Sequence, residues 1–337
     1  MDSLRSVLLG FSGGIDSSAA VGILQESGYR VVALTLNTTG DEELLSQAQK
    51  QAAQLFVEHH IKDVRAEFQQ KIVDYFISSY LQGRTPAPCT MCNPLIKWHH
   101  LVFEADRLGL EKVATGHYFN VEQFDGRYYV TRAADSRKDQ SYYLWGLSQQ
   151  VLQRVVTPMG NVIKSDINPA AKRQKESMGL CFLKGMQYGE FIAARASGAC
   201  CKGDIVTLAG DVVGEHDGIA FYTIGQKRGL VGGSVVAIDA SRNRLIVGEK
   251  KDLFHTTLEV KNCNIVSQDE LLSAQDISVV VRGFGRNPEG YAKLVESIDG
   301  GYKVVLDDPA YAPASGQPVV FYRGNRVIGG GILERYY

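Results

Sequence analysis

The segment Gly10-Phe11-Ser12-Gly13-Gly14-Ile15-Asp16-Ser17-Ser18, directly behind the apolar run Val7-Leu8-Leu9, constrains this chain more than any other. A buried strand that gives way to paired glycines and then to a helical pattern is the strand–turn–helix unit of a parallel α/β sheet. Glycines and serines at such a junction leave backbone N–H groups uncovered. The positive end of the following helix points at the same spot, so phosphate oxygens can approach closely. Asp16 stands among these donors. A lone carboxylate there would repel phosphate unless a cation, Mg²⁺ on this reading, lay between them. No lysine follows the glycines, which separates the loop from the Gly-x-x-x-x-Gly-Lys-Ser type. The competing reading is an ordinary turn that caps a helix; so many specified residues behind one buried strand favour phosphate.

Strand and helix signals alternate up to about residue 120. Strands are expected at Val7–Leu9, Arg30–Leu36 and Val113–Thr115, and helices at Ser18–Gln25, Glu42–Leu55 and Glu67–Leu81. Gly28 stands where the first helix should end. This alternation implies a parallel sheet covered on both faces, with ligands beyond the carboxyl ends of its strands, where the Gly10–Ser18 loop and Gly116-His117 would both lie. From about residue 200 short Val-, Ile- and Tyr-rich runs alternate with Gly, Asp and Asn turns, among them Asp204–Leu208, Ala220–Ile224, Arg244–Val247 and Pro318–Tyr322. Such spacing predicts antiparallel sheet closing into small barrels, with Gly232-Gly233 as a hinge between a first β module and a last one.

A net charge of −1 neither demands nor excludes a nucleic acid, so any RNA partner must use a local patch. No apolar run approaches the ~20 residues that span a bilayer. The start, Met1-Asp2-Ser3-Leu4-Arg5, has no signal-peptide layout, and a cytoplasmic protein without membrane attachment is expected. In that setting the six cysteines are read as reduced thiols with chemical or metal roles.

Cys89 and Cys92 form a Cys-x-x-Cys in the proline-stiffened stretch Thr85-Pro86-Ala87-Pro88, ahead of a helix expected to start at Asn93-Pro94. Proximity to a helix N-terminus favours thiolate; half of a zinc site is the alternative, with Cys200-Cys201, His99 or His100 as conceivable further ligands. Cys181, bracketed by Leu180 and Phe182, reads on local sequence as a core cysteine.

Together these segments resemble the tRNA-specific 2-thiouridylases (MnmA). The resemblance is carried by Ser-Gly-Gly-Ile-Asp-Ser at 12–17, Thr-Pro-Ala-Pro-Cys-Thr-Met-Cys-Asn at 85–93, Ile-Lys-Trp at 96–98 and Ala-Thr-Gly-His-Tyr at 114–118. It continues through Lys-Asp-Gln-Ser-Tyr-Tyr-Leu at 138–144, Gly-Leu-Cys-Phe at 179–182, Tyr-Thr-Ile-Gly-Gln-Lys-Arg-Gly-Leu at 222–230 and the tail from Gly316 to Ile332, all in collinear order. The resemblance implies an α/β fold. A Rossmann-like parallel-sheet ATP pyrophosphatase (PP-loop) domain over 1–180 precedes two small mainly-β modules, a central one over 181–234 and a C-terminal β-barrel over 235–337.

The implied activity is ATP-dependent thiolation of C2 in the wobble uridine of tRNAs for Lys, Glu and Gln. ATP adenylates the C2 oxygen, pyrophosphate leaves, and a cysteine persulfide attacks the activated carbon. By resemblance Cys181 holds the persulfide, Cys92 is the second catalytic cysteine that pairs transiently with it, and Cys89 is counted with them as a catalytic residue. Gly10, Phe11, Ser12, Gly13, Gly14, Ile15, Asp16, Ser17, Leu36 and Gly116 would bind ATP, with Asp16 next to Mg²⁺. Ala87, Pro88, Cys89, Lys138, Asp139, Gln140, Lys227, Arg228 and Arg282 would contact the tRNA. The partners implied are a tRNA anticodon loop and a sulfur-donating protein, either a persulfide carrier or a cysteine desulfurase. The chemistry is coherent: uridine O2 is a poor leaving group until tied to AMP, a persulfide is a stronger nucleophile than a thiol, and a second thiolate can cleave the S–S bond. The base must also leave its stack to expose C2.

Three departures from the family pattern stand out. Cys89 occupies a position where many members have Asp, Ala87 replaces an Asn, and the stretch from Gly160 to Lys175 is short. Competing readings are an ATP pyrophosphatase acting on a small molecule, a non-catalytic RNA-binding protein on the same fold, and an iron–sulfur cluster held by Cys89, Cys92 and Cys181.

Overall fold

The computed structural model describes residues 5–167, 179–227, 229–230, 232–283 and 285–337. The chain divides into two compact units. One comprises Met1–Ile72, Cys89–Ser177 and Asn325–Val327; the other comprises Val73–Pro88, Met178–Gly324 and Ile328–Tyr337.

The first unit is built on the predicted parallel sheet. Strands β1 (Ser6–Gly10), β2 (Arg30–Asn37), β3 (Glu58–Asp63), β4 (Lys112–Thr115) and β7 (Val155–Val156) lie in the order β3-β2-β1-β4-β7. Val7, Leu8 and Leu9 are completely buried, as befits a central strand covered on both faces. Helices α1 (Ile15–Glu26) and α2 (Glu42–Gln54) connect the first three strands. α1 closes past Gly28 with the Tyr29 N–H bonded to the Leu24 carbonyl at 3.0 Å, and α2 opens on Asp41, whose side chain accepts from the Leu44 N–H at 3.2 Å. The chain runs from β1 to β2 on one side, yet β4 pairs with β1 on the other. That reversal leaves a crevice beyond Gly10 and Thr115, which are register partners. An antiparallel hairpin of β5 (Asn120–Phe124) and β6 (Arg127–Thr131) follows β4.

Two features of this unit differ from expectation. β3 is an edge strand that is polar at every position but Ile61 (Glu58, His59, His60, Lys62, Asp63), so it lacks the apolar run by which the inner strands were found. The helix expected from Asn93 begins at Pro88, and helical turns then run without a break to Arg107. Proline suits a first helical position because its missing N–H costs no bond there. Both Cys89 and Cys92 are therefore inside the first turns rather than ahead of them.

The second unit contains two sheets. β8 (Gly203–Thr207), β9 (Val212–His216), β10 (Ser234–Asp239) and β11 (Arg244–Gly248) form one, in the order β10-β11-β8-β9. Strands from both sides of Gly232-Gly233 thus share a sheet, and the glycine pair is a turn within it rather than a hinge between modules. The run Ala220–Ile224, expected as a strand, instead enters a 3-10 turn at Ile219–Phe221. The second sheet orders β13 (Ile277–Val280), β16 (Pro318–Arg323), β17 (Arg326–Tyr336), β12 (Phe254–Ile265), β15 (Gly301–Tyr311) and β14 (Ala292–Ile298) as β13-β16-β17-β12-β15-β14. Among the described residues no helix is long and apolar enough to cross a membrane.

An aromatic cluster anchors the segment around Cys181 in this unit. Phe182 packs edge-on against Phe76 (centroids 5.1 Å) and tilted against Phe191 (5.3 Å), while Tyr80 stacks on Tyr188 at 4.8 Å. Phe182 is 9% exposed. Phe182→Ala is expected to destabilise this unit by about 3–5 kcal/mol, measured by chemical denaturation, whereas Cys181→Ser next to it should stay within about 0.5 kcal/mol. Equal, small effects would show that the cluster does not hold the segment.

Candidate functional site

The glycine loop sits at the crevice of the parallel sheet. Phe11 N–H continues the ladder to the Leu34 carbonyl (2.8 Å), and the chain then turns through Ser12, Gly13 and Gly14 into α1. Gly13 has φ +72°, and a Cβ on it would lie 2.7 Å from the Ala48 backbone of α2, so only glycine fits. Gly14 is different. Its backbone is extended (φ −80°, ψ 171°), and a Cβ there would meet only Ser12 Oγ at 3.4 Å, so the fold itself does not require a glycine. Gly116, directly after β4, presses against α1: a Cβ on it would stand 3.0 Å from the Ser17 nitrogen.

No side chain caps α1, which leaves its first N–H groups for a ligand. Two hydroxyls knit the loop from within. The buried Ser17 hydroxyl donates to the Gly14 carbonyl (3.0 Å) and lies 3.3 Å from Ser12 Oγ. Ile15 is exposed beside the loop, and Leu36 is half-buried at the carboxyl end of β2, two residues past the Gly10–Leu34 register pair.

A second layer positions the loop. Thr35 Oγ1 donates to the Phe11 carbonyl at 2.7 Å and lies 2.8 Å from His59 Nε2. The hydroxyl's single proton is spent on Phe11, so His59 carries its proton on Nε2 and donates to Thr35. Burial, with His60 adding, holds the His59 imidazole below its ordinary range and favours this neutral form. His117 is likewise held down, to about 3, by desolvation and then by the Lys97 ammonium; its Nδ1 lies 2.9 Å from Thr115 Oγ1.

Asp16 is not a lone carboxylate. Its Oδ1 accepts a hydrogen bond from the Tyr118 hydroxyl (2.8 Å) and forms an ion pair with the ammonium of Lys164. Tyr118 appears in the Ala-Thr-Gly-His-Tyr motif, but Lys164 carries no local signal: it falls in a stretch notable only for its shortness. Asp16 could join a Mg²⁺ that keeps its remaining ligands from phosphate and water. Among the described residues no group of three or more His, Cys, Asp or Glu is arranged to hold a metal ion, and this includes the cysteines considered for zinc or an iron–sulfur cluster. His100 instead meets Glu67 Oε2 at 2.6 Å.

The residues expected to touch tRNA fall into two groups. Asp139 is used inside the fold, accepting from the Ala133 N–H (2.9 Å) and the Ser141 hydroxyl (2.7 Å), and Gln140 Oε1 accepts from the Tyr118 N–H (2.9 Å). Gln140 thereby braces the tyrosine that holds Asp16. Arg282 donates to the Ala312 carbonyl. Lys138 and Ala87 are half-buried, Pro88 is buried, and Lys227 is exposed. Arg228 lies outside the described residues.

The thiols contrast sharply. Cys89 is exposed on the first helical turn, and Cys92, one turn on, is 5% exposed. Burial, and then the nearby Cys89, push the Tyr143 phenol up to about 12. Cys181 is exposed at the start of a 3-10 turn, so the reading of it as a core cysteine is corrected: the bracket belongs to Phe182, which turns inward while Cys181 turns out. Cys200 and Cys201 are exposed as well, whereas burial raises the Cys263 thiol to about 11.

Comparison with known proteins agrees with this layout along the whole chain. Residues 5–185 match the family described as tRNA methyl transferase HUP domain, 189–249 the tRNA methyl transferase PRC-barrel domain, and 255–333 the aminomethyltransferase beta-barrel domain. The tRNA-specific 2-thiouridylase MnmA 3 of Bacteroides fragilis is 38% identical, covering 98% of this chain and 95% of its own. A second Bacteroides fragilis protein, MnmA 1, is 36% identical over 99% of this chain and 98% of its own. The tRNA-specific 2-thiouridylase MnmA of Clostridium perfringens is 34% identical over 98% of both. With identity at this level spread over nearly its full length, the chain belongs to the tRNA-specific 2-thiouridylase (MnmA) family.

Proposed function

We propose that this protein is a tRNA sulfurtransferase that uses ATP to place sulfur on C2 of the wobble uridine in tRNAs for Lys, Glu and Gln. The observation that carries this reading is the full-length identity to proteins named 2-thiouridylases. The geometry supports it at both ends of the chemistry. At one end an uncapped α1 and an extended, Cβ-free Gly14 offer backbone donors to phosphate. Bound Mg²⁺ would neutralise phosphate charge, with Asp16 as its protein ligand. At the other end Cys181 is exposed, as a sulfur-accepting thiol must be to meet a donor protein.

The steps balance as follows. Uridine O2 attacks the α phosphorus of ATP, the Pα–O bond to the β phosphate breaks, and pyrophosphate leaves with the electron pair. The terminal sulfur of a Cys181 persulfide attacks C2, and the C2–O bond breaks to release AMP. The Cys92 thiolate then attacks Cys181 Sγ, which leaves 2-thiouridine and a Cys92–Cys181 disulfide for a reductant to reopen. Cys89, one helical turn before Cys92, is a neighbouring thiol for that exchange. For the tRNA itself the exposed Lys227 is suited to a phosphate, and Ala87 to Cys89 to the displaced base.

Wobble uridines should be analysed by mass spectrometry in cells whose only copy of this protein carries Cys181→Ala. The 2-thio group should vanish while other tRNA modifications persist; 2-thiouridine at the wild-type level would sink the reading. The loop makes a separate prediction. Gly14→Ala should melt within about 0.5 kcal/mol of the wild type yet lose ATP binding, because only a ligand needs the space its Cβ would fill. Gly116→Ala should instead destabilise the fold by about 1–3 kcal/mol, since its methyl group meets the α1 backbone. Thermal melts and ATP titrations separate the two, and a Gly14→Ala protein that binds ATP normally would remove the loop from phosphate binding.

A further inference from the structure

The glycine loop holds no lysine, yet the fold brings one to it from 148 residues along the chain. The Lys164 side chain is only 8% exposed, and its ammonium pairs with Asp16 Oδ1, the same oxygen that takes the Tyr118 hydroxyl. It also stands 5.8 Å from the centre of the Tyr118 ring, within the range of a cation–π contact. The backbone beneath it is fixed: the Lys164 N–H donates to Asp135 Oδ2 at 3.0 Å, and Asp135 is itself buried and accepts the Arg137 N–H at 3.1 Å. A lysine is seldom buried, because its charge loses water unless it is paired. Here the pairing is one-sided. The Asp16 side chain remains 36% exposed on the first turn of α1, so the ion pair borders the space that phosphates would enter.

We propose that Lys164 is a phosphate-contacting catalytic residue that supplies, from a distant segment, the cation a glycine loop of the lysine-bearing type carries within itself. The inference rests on the reading that this loop holds the phosphates of ATP. Lys164 cancels the Asp16 charge, so the backbone donors of α1 face phosphate without a bare carboxylate among them. When the Pα–O bond breaks, the electron pair goes to the departing pyrophosphate oxygen, and the ammonium meets that charge without a proton transfer. Lysine suits this role as a compact point charge on a flexible stem. A mere strap joining residue 164 to α1 would make no distinction between nucleotides.

The test is calorimetric titration of the full chain with ATP, AMP and inorganic pyrophosphate, alongside thermal melts. Lys164→Met should weaken ATP and pyrophosphate by about tenfold or more and leave AMP within about twofold, with partial rescue in Lys164→Arg. Equal weakening of ATP and AMP would overturn the inference in favour of a strap, and so would no weakening at all. If Lys164→Met does not fold, the variant joining it to Asp16→Asn leaves no unpaired charge. Compared with Asp16→Asn on its own, that variant must show the same selective loss of pyrophosphate binding or the inference falls. A wild-type chain that binds neither ATP nor pyrophosphate would instead overturn the reading on which the inference rests.

Discussion

The contact between Gly116 and the first turn of α1 is the constraint on which the candidate site depends. β1 and β4 are adjacent strands whose carboxyl ends lie level, and the chain leaving β4 must pass the backbone at Ser17 with no room for a side chain. That close passage brings His117 and Tyr118 beside α1, and Tyr118 then reaches Asp16. Gln140 holds Tyr118 from behind through its backbone N–H, and Asp139 organises the turn that carries Gln140. A polar chain thus runs from a turn near residue 139 to the mouth of the glycine loop. Each member is satisfied by its neighbour, which is how buried polar groups become rigid rather than costly.

The parallel sheet and the glycine turn after β1 were legible in the sequence because both depend on short-range patterns. Val7-Leu8-Leu9 and Arg30–Leu36 are apolar runs, and the glycines between a strand and a helix mark the turn. β3 was not among the strands expected because an edge strand has a solvent-facing side and needs no apolar run; its Glu58, His59 and His60 carry none. His59 nonetheless supports the loop through Thr35, a link that no periodicity reports. Position along a helix was misread for the same kind of reason. Pro88 looked like the stiffener of an extended segment, whereas proline is equally at home in a first turn, and the turn it opens carries both cysteines.

The cysteines teach a related lesson about local context. Leu180 and Phe182 flank Cys181, and an apolar bracket suggests a buried centre. In a 3-10 turn, however, successive side chains point about a third of a turn apart. Phe182 can therefore enter the Phe76–Phe191 cluster while Cys181 faces solvent. Burial of the neighbour is what presents the thiol: the aromatic ring fixes the backbone, and the fixed backbone aims the sulfur outward. Cys92 has the opposite environment, buried one helical turn along from the exposed Cys89. One thiol is thus open to solvent and the other is shielded from it.

Charge at the glycine loop follows from topology rather than from local sequence. A loop that carries its own lysine places a cation next to its glycines by covalent connection, and the loop conformation then decides where that charge points. Here the loop instead contributes an acid, Asp16, and the fold returns the base from beyond β7. Because the pair joins segments distant in the chain, it forms only when the sheet is complete, and loop-closure entropy must be overcome first. The charge balance beside the glycines is thus a property of the folded unit. An unfolded or partly folded chain would present phosphate with a carboxylate among the glycines and no compensating ammonium.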